Sequence, residues 1–269
     1  MKKVNNNFSS ARRNFLRRQR KDKFFVGFWQ IATLVIFLGL WELLAGVGAI
    51  DPFFFSCPSR IAVTIVDLAG SGNLFIHIWT SLYETLIGFL IATALGFIIA
   101  VLLWWSERLR KILEPYLIIL NSLPKIALGP MIIFWVGSGS GATIVMCVLI
   151  CVIITTISML NAFIACDSDK ILLMKSMHAN KFQILFKLII PNALPEFVSV
   201  LKINVGMSWV GTIMGEYLSS KAGLGYLINY GSQILKLDIV MASIVLLCVL
   251  AGGMYFLVAP LEKRYKKNG

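Results

Sequence analysis

The run TLIGFLIATALGFIIAVLLWWS occupies residues 85–106, and these 22 residues without charge lie between Glu84 and Glu107. About 20 mostly apolar residues in a helix span the hydrocarbon core of a bilayer, so the run is long enough for one crossing. It lacks the polar–apolar alternation of a barrel strand, and backbone groups in lipid must pair within their own segment. The run therefore predicts a transmembrane helix.

The composition of the whole chain agrees with that prediction. Of the 269 residues, 58% are hydrophobic and 14% are charged, and the mean hydropathy is +0.82. A soluble domain averages about 45–50% apolar and about 25% charged residues, so a soluble enzyme, a disordered chain and a disulfide scaffold are excluded. The five cysteines form no CxxC pair, so neither a zinc site nor a disulfide framework is predicted.

The same length criterion predicts six crossings. The turn residues GSGSG at 137–141 divide the longest uncharged stretch between two of them. We predict transmembrane helices at residues 24–50, 84–105, 114–136, 142–165, 192–215 and 239–261. The other predicted segments are a basic arm at 1–23, an outer loop at 51–81 with a docking helix at 59–68, an inner loop at 167–190 and a basic tail at 263–269, with the core at 82–262. The predicted fold class is an all-α integral membrane protein.

The positions of Lys and Arg predict the orientation of these helices. With the N-terminus inside, the inner segments 1–23, 106–113, 166–190 and 260–269 hold 20 of the 25 basic residues. The positive-inside rule then places both termini in the cytoplasm, and the even number of crossings agrees, because it puts both termini on the same side. The net charge of +12 is concentrated in these flanks, which we expect to contact membrane lipid rather than nucleic acid.

The inner loop at 167–190 is too long and too patterned for a simple connector. Helix N-cap groups occur at its start: Asp167, Ser168 and Asp169. Apolar residues then recur at the spacing of one helical face: Phe182, Leu185, Phe186 and Ile189. Pro191 and Pro195 are expected to end this helix before the next crossing. The pattern alone leaves two interpretations open, a helix on the membrane surface or a helix presented to the groove of a partner protein.

The stretch KSMHANKFQILFKLIIPNALP at 175–195 resembles the "EAA" loop of binding-protein-dependent ABC importer permeases. Further segments resemble the nitrate, sulfonate and taurine branch of that family: CPS at 57–59, LPKIALGP at 123–130, FWVG at 134–137, GEYL at 215–218 and GLGYLI at 223–228. Two positions differ from the family pattern. Leu172-Leu173-Met174 replaces Glu-Ala-Ala, and His178 replaces a Gly, although His178 is still expected to be a turn residue because His can adopt positive φ.

The resemblance implies a type I ABC transmembrane domain, with the loop acting as a coupling helix between the fourth and fifth crossings. It implies the permease subunit of an ATP-driven importer in a bacterial cytoplasmic membrane. The implied partners are two copies of an ATPase that holds ATP and Mg²⁺, an external substrate-binding protein, and a second permease copy in a homodimer or a heterodimer. The implied cargo is a small solute, either a small anion or a thiamine-precursor-like compound.

The resemblance also assigns residues to the coupling loop and to an outer gate. The coupling residues would be Lys175, His178, Ala179, Lys181, Phe182, Leu185, Phe186, Ile189, Pro191 and Pro195. The gate residues would be Gly223, Gly225 and Tyr226. The sequence carries no GxxxxGK[ST] phosphate loop, so we expect this chain to bind no cofactor and to be no enzyme. His77 has no partner cluster in the sequence and is expected at the surface.

Polar residues inside the apolar spans are candidates for a translocation pathway. One row repeats along the fifth crossing, and a second group lies in the third: Asn204, Ser208, Thr212 and Glu216; Asn121, Ser122 and Lys125. Hydrogen bonding between helices is the alternative interpretation for such residues. An ammonium group in hydrocarbon costs roughly 2.5–3.5 kcal/mol unless it faces water or a partner. Lys125 is therefore expected either to favour an anionic substrate near an aqueous path or to have a structural role at a helix break near Pro124.

Two other function classes fit the composition less well. A secondary transporter or channel that needs no ATP would favour inverted repeats and ionisable relays, and the sequence shows no repeat. A membrane enzyme would need a catalytic or metal cluster. The two histidines, His77 and His178, stand 101 residues apart, so no metal site is predicted.

Overall fold

A computed structural model describes residues 2–265 of the chain, with side chains described at positions 18, 22 and 25–260. Met1 and residues 266–269 lie outside the described residues, as does most of the predicted tail at 263–269. The described residues form helices, turns and irregular segments without a strand, which confirms the all-α prediction.

The chain forms two compact units, residues 1–63 and residues 64–269. The helices are, in chain order, α1 (Lys2–Gly46), α2 (Pro52–Phe55), α3 (Pro58–Gly70), α4 (Leu74–Trp105), α5 (Glu107–Ser122), α6 (Gly129–Val136), α7 (Ser140–Ile164), α8 (Ser168–Ser176), α9 (Lys181–Ile184), α10 (Ile190–Ser219), α11 (Leu224–Gln233) and α12 (Leu237–Tyr265). The predicted outer loop at 51–81 is shorter than expected, because α4 begins at Leu74.

In the first unit, α1 is one continuous helix that contains both the predicted basic arm and the first apolar span. Its apolar part, Phe25–Gly46, is long enough to cross a membrane. The helix ends before the predicted boundary at residue 50, and Gly48 follows with φ +78°. Asp51 then caps α2 by accepting a hydrogen bond from the N–H of Phe53 at 2.8 Å.

The second unit is built around α7, which lies between α4 and α10. Glycines bring the three backbones close together: a Cβ at Gly88 on α4 would lie 2.5 Å from Sγ of Cys147, and a Cβ at Gly211 on α10 would lie 2.6 Å from Cα of the same residue. A Cβ at Gly215 would lie 2.5 Å from Cα of Thr143. Small residues are the usual means of close helix packing in membranes, where the hydrophobic effect does not hold helices together.

The predicted third crossing at 114–136 is not one straight helix. α5 and the 3₁₀ turn leading into α6 meet at an angle of 87°, so the segment is a broken span or a re-entrant loop. Pro124 lies at the break, where it has no N–H to continue the helix and disfavours helical φ/ψ at Leu123. The break near Pro124 is the one that the sequence suggested. With the bent pair counted as one span, the described residues contain six candidate crossings.

The predicted stop at Pro191 is wrong. α9, a π-helical turn at Leu185–Ile189 and α10 follow one another without interruption, so that Lys181–Ser219 forms one 39-residue span. Pro191 lies two residues after the π-helical turn, and its missing N–H removes one hydrogen bond from the span without ending it. The π turn, with i→i+5 hydrogen bonds, accommodates the change in register before the proline.

Candidate functional sites at the two ends of the helix core

The core has two ends with different chemistry. The hairpin end is where α4 and α7 begin, α10 ends and α11 begins. The loop end is where α4 and α7 end and where α8 and α9 lie. Most predicted site residues lie at one of these ends or in the buried contacts between them, and the Lys125 group lies at the break after α5.

At the loop end, side chains cap both short helices. Asp167 accepts a hydrogen bond from the N–H of Asp169 at 2.9 Å and begins α8, at the position where N-cap groups were predicted. Asn180 and Gln183 form a capping box for α9, in which each side chain accepts from the other residue's N–H, at 2.8 and 2.9 Å. The Asn-x-x-Gln spacing in the sequence is the signal for this second cap, which was not predicted.

A tight turn around His178 joins the two helices. The N–H of His178 donates to the carbonyl of Lys175 at 2.9 Å, and the N–H of Ala179 donates to the carbonyl of Met174 at 3.0 Å. This pair of bonds is the Schellman motif, which places the residue after the C-cap in the left-handed region. His178 has φ +56°, so the prediction that His178 is a turn residue is confirmed.

α9 is attached to the end of α4 through Trp105. The ammonium group of Lys181 donates to the carbonyl of Trp105 and lies 5.0 Å from the centre of its ring. The ring of Phe182 lies against the same indole, with 4.6 Å between ring centres. Two of the predicted coupling residues therefore position the loop on the transmembrane core.

The predicted apolar face of this helix is divided between two environments. Leu185 and Ile189 are buried in the core at the loop end, whereas Phe182 and Phe186 are 61% and 63% exposed. The expectation that all four side chains meet a partner is corrected for the two buried ones. The reason is the π turn, since its i→i+5 register rotates the following side chains away from the positions of a regular α-helix.

Five large apolar side chains remain uncovered at the loop end, and we name this set the loop patch. Each is more than 60% exposed: Leu172, Leu173, Met177, Phe182 and Phe186. Leu172 and Leu173 belong to the triplet that replaces Glu-Ala-Ala, and they were not among the predicted coupling residues. The sequence signal for them was the replacement of Glu-Ala-Ala by apolar residues, two of which lie on the outward side of α8.

The other predicted coupling residues lie around the loop patch without belonging to it. Lys175 and Pro191 are exposed, while Ala179 and Pro195 are half-buried. Lys175 is in the last turn of α8, where its charge interacts favourably with the helix C-terminus.

At the hairpin end, three consecutive N–H groups at the start of α11 donate to side chains of other helices. We name these bonds the hairpin lock; they join Gly223 to His77 Nδ1 at 3.0 Å, Leu224 to Ser81 Oγ at 2.8 Å and Gly225 to Glu216 Oε2 at 2.6 Å. Ser81 Oγ also donates to Glu216 Oε1 at 2.6 Å. The lock satisfies the free N–H groups of the first turn of α11 with acceptors from α4 and α10.

The predicted gate residues form the α11 side of the hairpin lock. Gly223 has φ +113°, and a Cβ there would overlap the carboxylate of Glu216. A Cβ at Gly225 would lie 2.7 Å from the carbonyl oxygen of Ile213, so both glycines are required by close approach. Tyr226 stacks on His77, with 5.7 Å between ring centres.

The expectation that His77 is a surface residue without partners is wrong. It is half-buried, accepts from Gly223 and stacks on Tyr226. Ser81, which is fully buried, was missed altogether. The partners of Ser81 lie 135 and 143 residues away in the chain, so the only local signal was the i, i+4 spacing of His77 and Ser81 at the start of an apolar run.

A family model described as "binding-protein-dependent transport system inner membrane component" matches residues 92–267. The match covers more than half of the chain. The chain belongs to this family. It is a multi-pass permease of an ABC importer, and the resemblance found in the sequence is confirmed.

Two relatives are named for the compound that they transport, and each aligns with most of the permease. The taurine transport system permease protein TauC of Escherichia coli is 25% identical over 239 residues, which are 87% of this chain and 87% of that protein. The formylaminopyrimidine transport permease protein ThiX of Halalkalibacterium halodurans is 28% identical over 187 residues, covering 70% of this chain and 74% of that protein. The fold is similar to an inward-facing structure of the MetNI methionine ABC transporter, with a TM-score of 0.66, 21% identity, and coverage of 73% of this chain and 98% of that one.

In the permease, the predicted pathway row on α10 faces neighbouring helices of the same protomer. All four members are buried, with exposures of 0–1%: Asn204, Ser208, Thr212 and Glu216. The amide of Asn204 donates to Thr93 at 3.2 Å and to Thr155 at 2.7 Å, and the Thr212 hydroxyl pairs with that of Thr85 at 3.0 Å. The expectation of a pathway-lining row is corrected, because all four side chains are buried inside the protomer. Asn204, Thr212 and Glu216 bond to neighbouring helices, whereas Ser208 donates within α10 to the carbonyl of Val205 at 2.9 Å.

The predicted group on the third crossing of the permease lies at the helix break. The ammonium group of Lys125 donates to the carbonyl of Asn121 at 3.1 Å, in the last turn of α5. The Ser122 hydroxyl donates to the carbonyl of Ile118 at 3.0 Å. This contact agrees with the structural role predicted for Lys125, because a cation at a helix C-terminus satisfies a free carbonyl group.

Proposed function

We propose that this permease forms the translocation pathway of an importer whose separate ATPase subunit, present in two copies, binds ATP and Mg²⁺. The ATPase would contact the loop patch and drive transport from there. A substrate-binding protein on the opposite side of the membrane would deliver the cargo. Family membership supports the importer, and the observation that carries the coupling role is the loop patch.

The loop patch has the properties of a protein-binding surface. It consists of five large apolar side chains on two short helices that are held rigidly by caps, a Schellman motif and the contacts with Trp105. Burying one such side chain fully contributes about 1.5–3 kcal/mol. A partner whose two states bind the patch differently would shift the permease between its own conformations.

We orient the permease by the compartment in which its ATPase works. The ATPase works in the cytoplasm, so we place the loop end there and the hairpin end outside. The basic residues of the loop end, counted by the positive-inside rule, support the same orientation and put both termini in the cytoplasm.

A polar cavity at the loop end supports a path for a small solute. It has a volume of about 490 Å³ and lies between α7 and α10, with four polar side chains in its wall: Ser158, Asn161, Asn192 and Glu196. This volume is typical of small-molecule sites. The names of the relatives favour a small anion of the taurine kind or a pyrimidine precursor of thiamine as the cargo.

A second copy of the permease would complete the path in a two-fold homodimer. The exposed face of α10 supports this arrangement, because Ile203, Met207 and Val210 are uncovered beside Gly206, where a Cβ would have open space. Small residues flanked by apolar side chains are typical of helix contacts between subunits in membranes.

The proposal is tested by reconstituting the permease, its ATPase and its binding protein in liposomes. The double variant Phe182→Asp/Phe186→Asp should lose ATP-dependent uptake and co-purification of the ATPase. The matched control Phe182→Leu/Phe186→Leu keeps the patch apolar and should retain most of the uptake. Uptake at the wild-type rate by the Asp variant, or uptake driven by a proton gradient without ATP, would overturn the proposal.

A further inference from the structure

Glu84 is a buried carboxyl group that the hairpin lock does not use. It lies on α4, one helical turn beyond Thr80, and its side chain is fully buried. Within the described part of the chain, neither carboxylate oxygen has a hydrogen-bond partner, and no ion pair reaches it. An ionised carboxylate without compensation in a low-dielectric site costs several kcal/mol or more, so Glu84 requires either a bound proton or a nearby cation.

The polar groups nearest to Glu84 are two hydroxyls and a second carboxyl group, and none of them carries a positive charge. The hydroxyls of Ser140 and Thr143 on α7 lie beside it, together with the carboxyl group of Glu216 on α10. Glu216 is itself buried, with its two oxygens engaged by Ser81 and by the N–H of Gly225. Two adjacent carboxyl groups in a buried site cannot both be ionised without a cation between them.

A polar cavity lies beside this position at the hairpin end. Its volume is about 320 Å³, and Ser140, which lies beside Glu84, is part of its wall. The other lining residues are Thr80, Ser138, Gly139, Ser219, Ser220, Lys221 and Ala222. Hydroxyl groups and backbone carbonyls are suitable ligands for hard monovalent cations and suitable relays for protons.

We propose that Glu84 and Glu216 form a binding site for one small monovalent cation, a proton or a sodium ion, which enters from the hairpin end and stabilises the hairpin lock. The cation compensates Glu84, whose charge would otherwise repel Glu216 and weaken the bonds from Glu216 to Ser81 and Gly225. Its effect on the hairpin lock can be measured on the permease without the ATPase or the cargo.

The other titratable groups around the site are few. α4 contributes His77, two turns away, which is engaged with Gly223. α7 contributes the buried thiol of Cys147, and α11 contributes Tyr226. Lys221 is in the wall of the cavity. A carboxyl group that keeps its proton in the folded protein but ionises in the unfolded chain loses its contribution to stability as the pH rises.

The experiment measures the thermal midpoint of the purified full-length permease in detergent from pH 6 to pH 9, in choline chloride and in sodium chloride. The wild type should lose on the order of 5 °C as the pH rises in choline chloride. The variant Glu84→Gln, which is neutral at every pH, should lose much less. The control Glu114→Gln removes a charge from an exposed position of α5 and should follow the wild type.

The outcomes separate the two cations. If sodium chloride restores the midpoint at high pH and choline chloride does not, the ion is sodium. If the two salts act alike and the wild type shows an infrared carboxylic-acid band that Glu84→Gln lacks, the ion is a proton. If Glu84→Gln fails to fold, the wild-type salt dependence and infrared titration decide alone. The proposal would be overturned if the wild type showed no sodium effect, no carboxylic-acid band and no greater pH dependence than Glu84→Gln.

Discussion

The hairpin end and the loop end of the permease show opposite relations between polarity and burial. At the hairpin end, Ser81, Glu216 and the start of α11 are polar, buried and paired with one another. At the loop end, the loop patch is apolar and exposed. A buried polar network that is satisfied within one chain needs no partner, whereas an exposed apolar patch indicates one. The chain therefore satisfies the hydrogen bonds of the hairpin lock by itself and leaves the loop patch for a second protein.

The largest expected effect comes from breaking the helix packing behind the hairpin end. Gly215→Val would force a Cβ to 2.5 Å from the backbone of Thr143, which cannot move without displacing α7. We expect destabilisation by about 3 kcal/mol or more and little folded protein. The measurement is the yield and thermal midpoint of the purified permease. Gly206→Val, on the same helix with open space around it, is the control and should fold.

A smaller loss of stability is expected when one residue of the hairpin lock is replaced. Ser81→Ala removes the donor to Glu216 and the acceptor for the N–H of Leu224, leaving two buried groups unpaired. The expected cost is about 1–3 kcal/mol, measured as a decrease in the thermal midpoint. Ser232→Ala is the control, since that hydroxyl bonds only within its own helix, to Ile228 at 2.7 Å. Equal effects of the two substitutions would contradict the lock.

A still smaller effect of opposite sign is expected at the loop end. His178→Gly keeps the Schellman turn and removes the cost of a side chain at φ +56°, so stability should rise by up to about 1 kcal/mol. Lys175→Gly, inside α8, should lower stability by roughly 0.5–1 kcal/mol. Thermal midpoints that move in the same direction for both variants would show that the turn is not strained.

The smallest effect on the isolated permease is expected within the loop patch. Leu172→Ser/Leu173→Ser changes side chains that are 63% and 62% exposed. The free energy of unfolding, followed through the thermal midpoint, should therefore change by no more than about 0.5 kcal/mol. The affinity for the ATPase should nevertheless fall at least tenfold in a pull-down titration. Leu172→Met/Leu173→Met is the apolar control. Unchanged affinity in the Ser variant would remove α8 from the coupling surface.

Features that depend on local composition could be predicted from the sequence. The apolar runs identified α4, α7 and α12, because hydrocarbon requires long uninterrupted apolar helices whatever their neighbours are. The turn at 178 was predicted from the family resemblance, in which a Gly holds this position, because His can also adopt positive φ.

Features that depend on long-range contacts could not be predicted in this way. Glu84 was taken as the boundary of a crossing, because a charge in the sequence gives no sign of the helices that bury it. The division of the loop face between core and surface also escaped prediction, since it results from the π turn at 185–189 and from the fit of α9 against Trp105. The row on α10 was recognised as polar, but only the positions of α4 and α7 show that it points into the protomer.

The uninterrupted span Lys181–Ser219 has a mechanical consequence. A helix of 39 residues is about 58 Å long, and this one starts beside the loop patch and ends three residues after Glu216. Because no break in the helix separates its two ends, a displacement of one end can reach the other through a single element. A tilt imposed on α9 by a partner would therefore act on Glu216, and through Glu216 on the hydrogen bonds of the hairpin lock.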